Sequence, residues 1–355
     1  MNVKSTNPMA DLYNRLRAVG LTQNYLKKTI LPEWWDDEIA ENPAGYAEGL
    51  TYLSRHLGLD LASLHDPSRT IDFREFGICK YKKSKDATED QLALARAVAS
   101  RVAQLAHLAT KDDFSPCSKV ASQIRGEILA RGAAWVGLDE LLDHCWSIGI
   151  PVLHISNFPE KPYDWPGTRR RPDGLAVRVE GRPVVVLCKK AGDPSWLSFI
   201  LAHELGHIAL GHIEREGVLV DESMDDNIKD EEEIAADNFA VELLVGSPNV
   251  KFKCAGRWPK AEQLAQEALQ IGREKKIDPG HVVLNFAYAS RKNLWPLAKA
   301  ALALLHPEKN ATEIVSRKMT ASLDWAILPE DHNDFLKRIC EGENPRDVSL
   351  RIAGA

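Results

Sequence analysis

The sequence predicts an α+β fold, mostly helical, with a small β-sheet packed beside a buried helix and helical regions at both ends. Three observations carry this. Trp196–His212 is an apolar run of helical period that encloses His203, Glu204 and His207. Two short β-branched segments, Gly174–Val179 and Val184–Leu187, flank Glu180-Gly181-Arg182 and read as a hairpin. Most of the remaining chain has apolar residues at three- and four-residue spacing.

Residues 1–66 read as a helical N-terminal region. Leu12, Leu16, Val19 and Leu26 recur at near-helical spacing, Pro32 breaks the run, and Tyr46–Leu57 is amphipathic. Leu50–Leu64 faintly resembles the start of a degenerate helix-turn-helix. Residues 1–65 nevertheless carry six basic side chains against eight acidic ones, which disfavours DNA as a partner. Residues 67–117 are expected to form a linker and a long helix. In the linker Phe73, Phe76, Ile78 and Tyr81 suggest a short strand, and Lys80, Lys82, Lys83 and Lys85 a solvated basic patch. Ala87–Leu108 is an alanine-rich helix with Arg96 and Arg101 on its expected surface face.

Residues 118–292 are expected to form one domain around the central apolar helix. Ser118–Trp146 supplies two helices, Ile148–Ile155 a strand, and Gly174–Leu187 the hairpin; an edge strand beside the central helix would let an extended peptide add to the sheet. Helices follow at 260–275 and 279–290, the second opened by Asp278-Pro279. Residues 293–355 form a helical C-terminal region.

The chemistry concentrates in His203-Glu204-Leu205-Gly206-His207. Histidines four residues apart on a helix present both imidazoles on one face, within reach of one metal ion. Glu204 then lies beside the open coordination position as a general base. His212 is off register for a third ligand and reads as a helix-end histidine favoured by the dipole. The third ligand is sought in Asp230–Val245, where Ile234, Ala235, Phe239, Ala240, Leu243 and Leu244 suggest a second buried helix. Glu233 and Asp237 are one turn apart there: Glu233 completes a site of two histidines and one carboxylate, and Asp237 orients a ligand imidazole. Glu232 competes for the ligand role but points about 100° away. Glu231 reads as a first-turn acid.

Other candidates are weaker. Ser195 and Ser198 lack an acid at recognisable spacing to orient a Ser-His pair. Cys188 reads as a strand cysteine, and His154 and His281 as structural histidines. Tyr163, Arg169, Arg170, Arg171 and His281 are the candidate donors to a developing oxyanion. The acidic stretch from Asp221 to Glu233 reads as a solvated loop and helix start.

The pattern His203-Glu-Leu-Gly-His-x-x-Leu-Gly-His212, then Glu233-Ile-Ala-Ala-Asp-Asn-Phe-Ala-Val-Glu-Leu-Leu244, resembles the ImmA/IrrE metallopeptidases, gluzincin-like proteases of bacteria and phages. Asp173–Leu187 resembles that family's hairpin, and the similarity spans roughly residues 130–290. It implies Zn²⁺ held by His203, His207 and Glu233, with Glu204 as the catalytic glutamate. It also implies a protein substrate, a transcriptional repressor or comparable regulator. The rival expectation is a regulatory binding protein that uses the zinc fold as sensor or scaffold; a third is an antiphage or toxin–antitoxin component whose protease is silent until triggered.

Composition bounds the rest. A 44% hydrophobic and 27% charged content is that of a soluble globular chain, and a net charge of −6 disfavours non-specific nucleic-acid binding. No stretch has the length of a membrane span, and the N-terminus lacks a signal-peptide core, so a cytoplasmic location is expected. Six scattered cysteines without a Cys-x-x-Cys pair read as reduced thiols.

Overall fold

The structure, a computed structural model, describes residues 8–74, 78–80, 89–159, 172–213, 226–254, 256, 258–290, 293–307 and 310–341; side chains are described from Leu94 in the long helix and from Glu231 in the helix that starts at Asp226. The fold is α+β and mostly helical. The N-terminal elements are α1 (Pro8–Ala18), α2 (Gln23–Tyr25), a π-helical turn at Leu26–Ile30, a 3₁₀ turn at Asp37–Glu41, α3 (Pro43–Leu57) and α4 (Leu61–His65). Then come β1 (Ile78–Lys80), α5 (Glu89–Ala109), α6 (Ala121–Ala130), α7 (Leu138–Ser147), β2 (Val152–His154), β3 (Gly174–Val179) and β4 (Arg182–Leu187). The remaining helices are α8 (Pro194–Ala209), α9 (Asp226–Val245), α10 (Ala261–Lys275), α11 (Pro279–Ala289), α12 (Trp295–Leu305), α13 (Ala311–Ser322) and α14 (Glu330–Cys340).

The sheet runs β1-β3-β4-β2, with β2 parallel to β4 and the other pairs antiparallel. Val179 pairs with Arg182, so Glu180 and Gly181 form the turn. Both have positive φ, 47° and 84°, the geometry whose twist matches a two-residue hairpin. Side chains alternate between two cores. Leu175, Val177, Val184, Val186 and Cys188 join the cluster containing α5, while Ala176, Val185 and Leu187 join the cluster containing α8. The sheet is therefore covered on both faces, which is why β4 reads as an unbroken hydrophobic run.

This layering corrects the expected edge strand. The strands against α8 are β3 and β4, the inner pair, and β1 covers β3 over Ala176–Arg178. The outer strands are β1 and β2. Of the residues suggested for a short strand, Ile78 lies in β1 and Phe73 makes an isolated bridge to Leu59, while Phe76 and Tyr81 fall outside the described residues. Lys82, Lys83 and Lys85 of the basic patch also fall outside them. No helix among the described residues is long and apolar enough to cross a membrane.

Helix α5 is buried on more than one side. Val98, Val102 and Leu105 are fully buried, as are Ala99, Ala103 and Ala106, whose small size lets the sheet approach. Arg96 and Arg101 consequently do not mark a free surface. Arg101 is half-buried and hydrogen-bonds Gln104 Oε1 at 3.2 Å and His332 Nε2 at 3.0 Å. The C-terminal α14 closes over the N-terminal elements: Phe335, Leu336 and Ile339 share a core with Leu26, Ile30 and Leu53, and Arg338 donates to the Leu31 carbonyl. Arg125, 8% exposed, donates to the Leu243, Leu244 and Lys276 carbonyls, joining the C-terminal ends of α9 and α10.

His56 sits at the junction of α3, the π-helical turn and α14. Its Nδ1–H donates to the Ile30 carbonyl at 3.1 Å and its ring stacks on Phe335, with centroids 4.6 Å apart and planes 1° apart. Burial pushes its pKa down to about 4; the Ile30 hydrogen bond and Asp331 oppose the shift, while His332 and Arg101 reinforce it. Above pH ~6.5 His56 is neutral in both folded and unfolded chains. Below that the unfolded chain takes up a proton that the folded chain refuses until about pH 4. Stability should fall by roughly 3 kcal/mol across this window. Chemical denaturation at pH 7 and pH 4.5 checks this, and His56→Gln should show a shallower loss than the wild type.

Candidate metal centre

Helix α8 begins at Asp193, whose side chain accepts from the Ser195 amide at 2.9 Å, with Pro194 preset for the first turn. Leu197, Leu201 and Leu205 are fully buried, worth about 1.5–3 kcal/mol each. They anchor a helix that also buries His203, Glu204 and His207 at 5%, 2% and 1% exposure. Polar groups so placed are tolerated only with partners.

The partners come from α9, whose buried stripe is Ala236, Phe239, Ala240, Leu243 and Leu244. Ile234 is 58% exposed rather than buried, because the side of α9 facing α8 at that level belongs to Glu233 and Asp237. The two helices meet closely at Gly206, where a Cβ would come within 3.2 Å of the Ala236 backbone and the Phe239 ring.

At this crossing His203 Nε2 and His207 Nε2 lie 3.1 Å apart. Glu233 Oε2 is 3.5 Å from the first and Oε1 is 3.4 Å from the second. These side chains form a group able to hold a metal ion. A tetrahedral ion bound at about 2.0–2.1 Å requires ligand atoms about 3.3 Å apart, and the donors match that spacing. Glu232 is outside the group and Glu231 is exposed. Burial lowers the basicity of His203, but its hydrogen bonds to Asp237 and Glu233 outweigh this and raise its pKa to about 9. Burial pushes Glu233 up, yet the two histidines hold it well below the usual carboxylate range.

The ring orientations have causes. His203 Nδ1–H donates to Asp237 Oδ1 at 2.8 Å, which turns its Nε2 toward His207 and Glu233. His207 Nδ1 lies 2.9 Å from His212 Nδ1. The helix does not continue to carry His212 away from the site. Gly211, at φ 79°, ends it in a Schellman motif, with Gly211 N–H to Ile208 O at 3.2 Å and His212 N–H to His207 O at 2.9 Å. His212 therefore folds back onto His207. The Gly-His pair just past the last apolar residue is the sequence signal for that reversal.

Glu204 projects toward the start of β3. A Cβ on Gly174 would lie 2.6 Å from Ile200 Cγ2 and 3.0 Å from Glu204 Oε1. Only glycine leaves room for the glutamate against the sheet, a role that sequence alone did not reveal.

The remaining candidates resolve as follows. Ser198 Oγ and His281 Nε2 hydrogen-bond at 2.8 Å in the fully buried contact of α8 and α11, and Ser195 is buried beside Gly280. Neither serine is accessible as a nucleophile. His154 bonds Lys189 O and Ser156 Oγ, and Cys188 is buried. Tyr163, Arg169, Arg170 and Arg171 lie outside the described residues, as do the acids at 221–225.

Comparison with known proteins agrees with a peptidase. No curated protein and no solved structure matches the chain. Residues 195–268, which contain α8 from Ser195 onward, the Glu233–Asp237 turn and the start of α10, match the family model Peptidase U49, and this similarity supports a peptide hydrolase.

Proposed function

We propose that the protein is a zinc-dependent endopeptidase in which His203, His207 and Glu233 hold the ion and Glu204 is the general base. The observation that carries this reading is the convergence of His203 Nε2, His207 Nε2 and the Glu233 carboxylate within 3.1–3.5 Å of one another, with Glu204 the next residue along α8. When bound, zinc supplies Lewis acidity, polarising a carbonyl and making a water acidic near neutral pH.

The chain's own residues do the rest. Asp237 fixes the His203 ring by accepting from Nδ1–H. His207 donates through Nδ1 to His212, keeping its Nε2 lone pair for the ion. Glu204, held against Gly174, takes the proton from the attacking water and delivers it to the departing amine. A scaffold would need only the three ligands; a fourth group, 2% exposed and acidic, favours hydrolysis over a purely structural site. The resemblance to ImmA/IrrE proteins supports a regulator such as a transcriptional repressor as the substrate.

Three outcomes test the assignment. Glu204→Gln is expected to keep stoichiometric zinc by elemental analysis while hydrolysis falls by about 10²–10⁴-fold; cleavage at the wild-type rate would refute the mechanism. Asp237→Ala should weaken zinc binding about 10–100-fold in competition with a chromogenic chelator. Gly174→Ala should retain zinc yet lose most activity, with a stability cost of about 1–3 kcal/mol from overpacking against Ile200 and Glu204. Proteomic comparison of new N-termini in cells expressing wild type and Glu204→Gln identifies the substrate.

A further inference from the structure

A second feature is linked to the proposed general base through Gly174 and Asp173. Gly174 abuts Glu204, and its neighbour Asp173 bonds Lys189 Nζ at 2.6 Å. Lys189 Nζ sits 5.4 Å from the ring centroid of Trp196, and Trp196 lies against Trp295 at 5.4 Å and 36°. Lys189, Trp196 and Trp295, with Lys190, Asp193 and Lys299, border a cavity of about 1020 Å³ between the end of β4, the start of α8 and α12. That is the upper end of the range of ligand-binding clefts, with room for several residues of a peptide.

The charge of this cavity is unbalanced in one direction. Lys189 is paired with Asp173. Asp193 accepts from the Ser195 amide and is 2.9 Å from His306 Nδ1. Lys190 and Lys299 are exposed and make no ion pair among the described residues. Two surplus ammonium groups beside a paired-tryptophan wall complement a segment that is both acidic and aromatic or apolar.

We propose that the Lys189–Trp196–Trp295 cavity is the substrate subsite and that it selects an acidic polypeptide segment bearing an aromatic or large apolar side chain. This rests on the peptidase reading. Trp196 precedes Glu204 by eight residues, about 12 Å along α8. An extended chain covers that in about four residues, so the selected segment lies about four residues from the cleaved bond. A polypeptide is favoured over a nucleic acid because two surplus cations do not make the continuous basic track that a phosphate backbone requires.

The test uses the full-length Glu204→Gln protein loaded with zinc. Fluorescence anisotropy would compare a labelled octapeptide of Asp and Glu around a central Phe, its Lys/Arg counterpart, and a single-stranded oligothymidylate. The acidic peptide should bind at least tenfold tighter than the basic one and weaken with salt, and Lys190→Glu/Lys299→Glu should abolish the preference without changing the circular dichroism spectrum. Trp295→Ala should weaken both peptides. Equal affinity for the two peptides, or a preference that survives the double reversal, overturns the subsite; so does oligothymidylate binding tighter than the acidic peptide. Casein hydrolysis by the wild type separates the two readings. Hydrolysis with no acidic preference removes the subsite alone. Acidic-peptide binding by a chain that hydrolyses no polypeptide removes the cavity's role in peptide hydrolysis.

Discussion

Burying two imidazoles and a carboxylate in the middle of an apolar helix is the constraint to which the surrounding structure answers. His203, Glu204 and His207 would be strongly destabilising inside α8 without partners. Each is met by a group from another element: Asp237 and Glu233 from α9, His212 from the reversed helix end, and the start of β3 at Gly174. The leucines of α8 offset the polar cost, and Gly206 lets α9 come close enough for its carboxylates to reach.

The scaffold holds this helix by covering the small sheet on both faces. Alternation along β3 and β4 sends Val177 and Val186 toward α5 and Ala176 and Val185 toward α8, so one sheet joins two cores. The small residues on the α8 face, Gly174 and Ala176, set the distance between helix and sheet, and with it the position of Glu204. On the far side α14 returns from the end of the chain to seal the N-terminal helices through Phe335 and His56. Sequence-distant segments therefore support the layer beneath the site.

The same helix carries the candidate centre and, at its N-terminal end, one wall of the cavity of Trp196 and Trp295. The end of β4 turns through Lys189 into the N-terminus of α8, and α12 packs beside that turn. Trp196 and Glu204 lie about two helical turns apart on α8.

By itself the sequence determined the helix that bears the two histidines, the hairpin before it and the second helix with Glu233 and Asp237 on one face. Those are local facts: a 3.6-residue period, two β-branched segments flanking Glu180-Gly181-Arg182, and carboxylates four residues apart. Only the tertiary structure decided what faces what. It made β3 an inner strand by pairing it with β1, exposed Ile234 while burying Ala236, and drew Arg101 under α14. Each outcome depends on the packing partner of a face, which local periodicity does not encode. Gly174 is the clearest case, since its lack of a side chain matters only because Glu204 arrives there from thirty residues further along the chain.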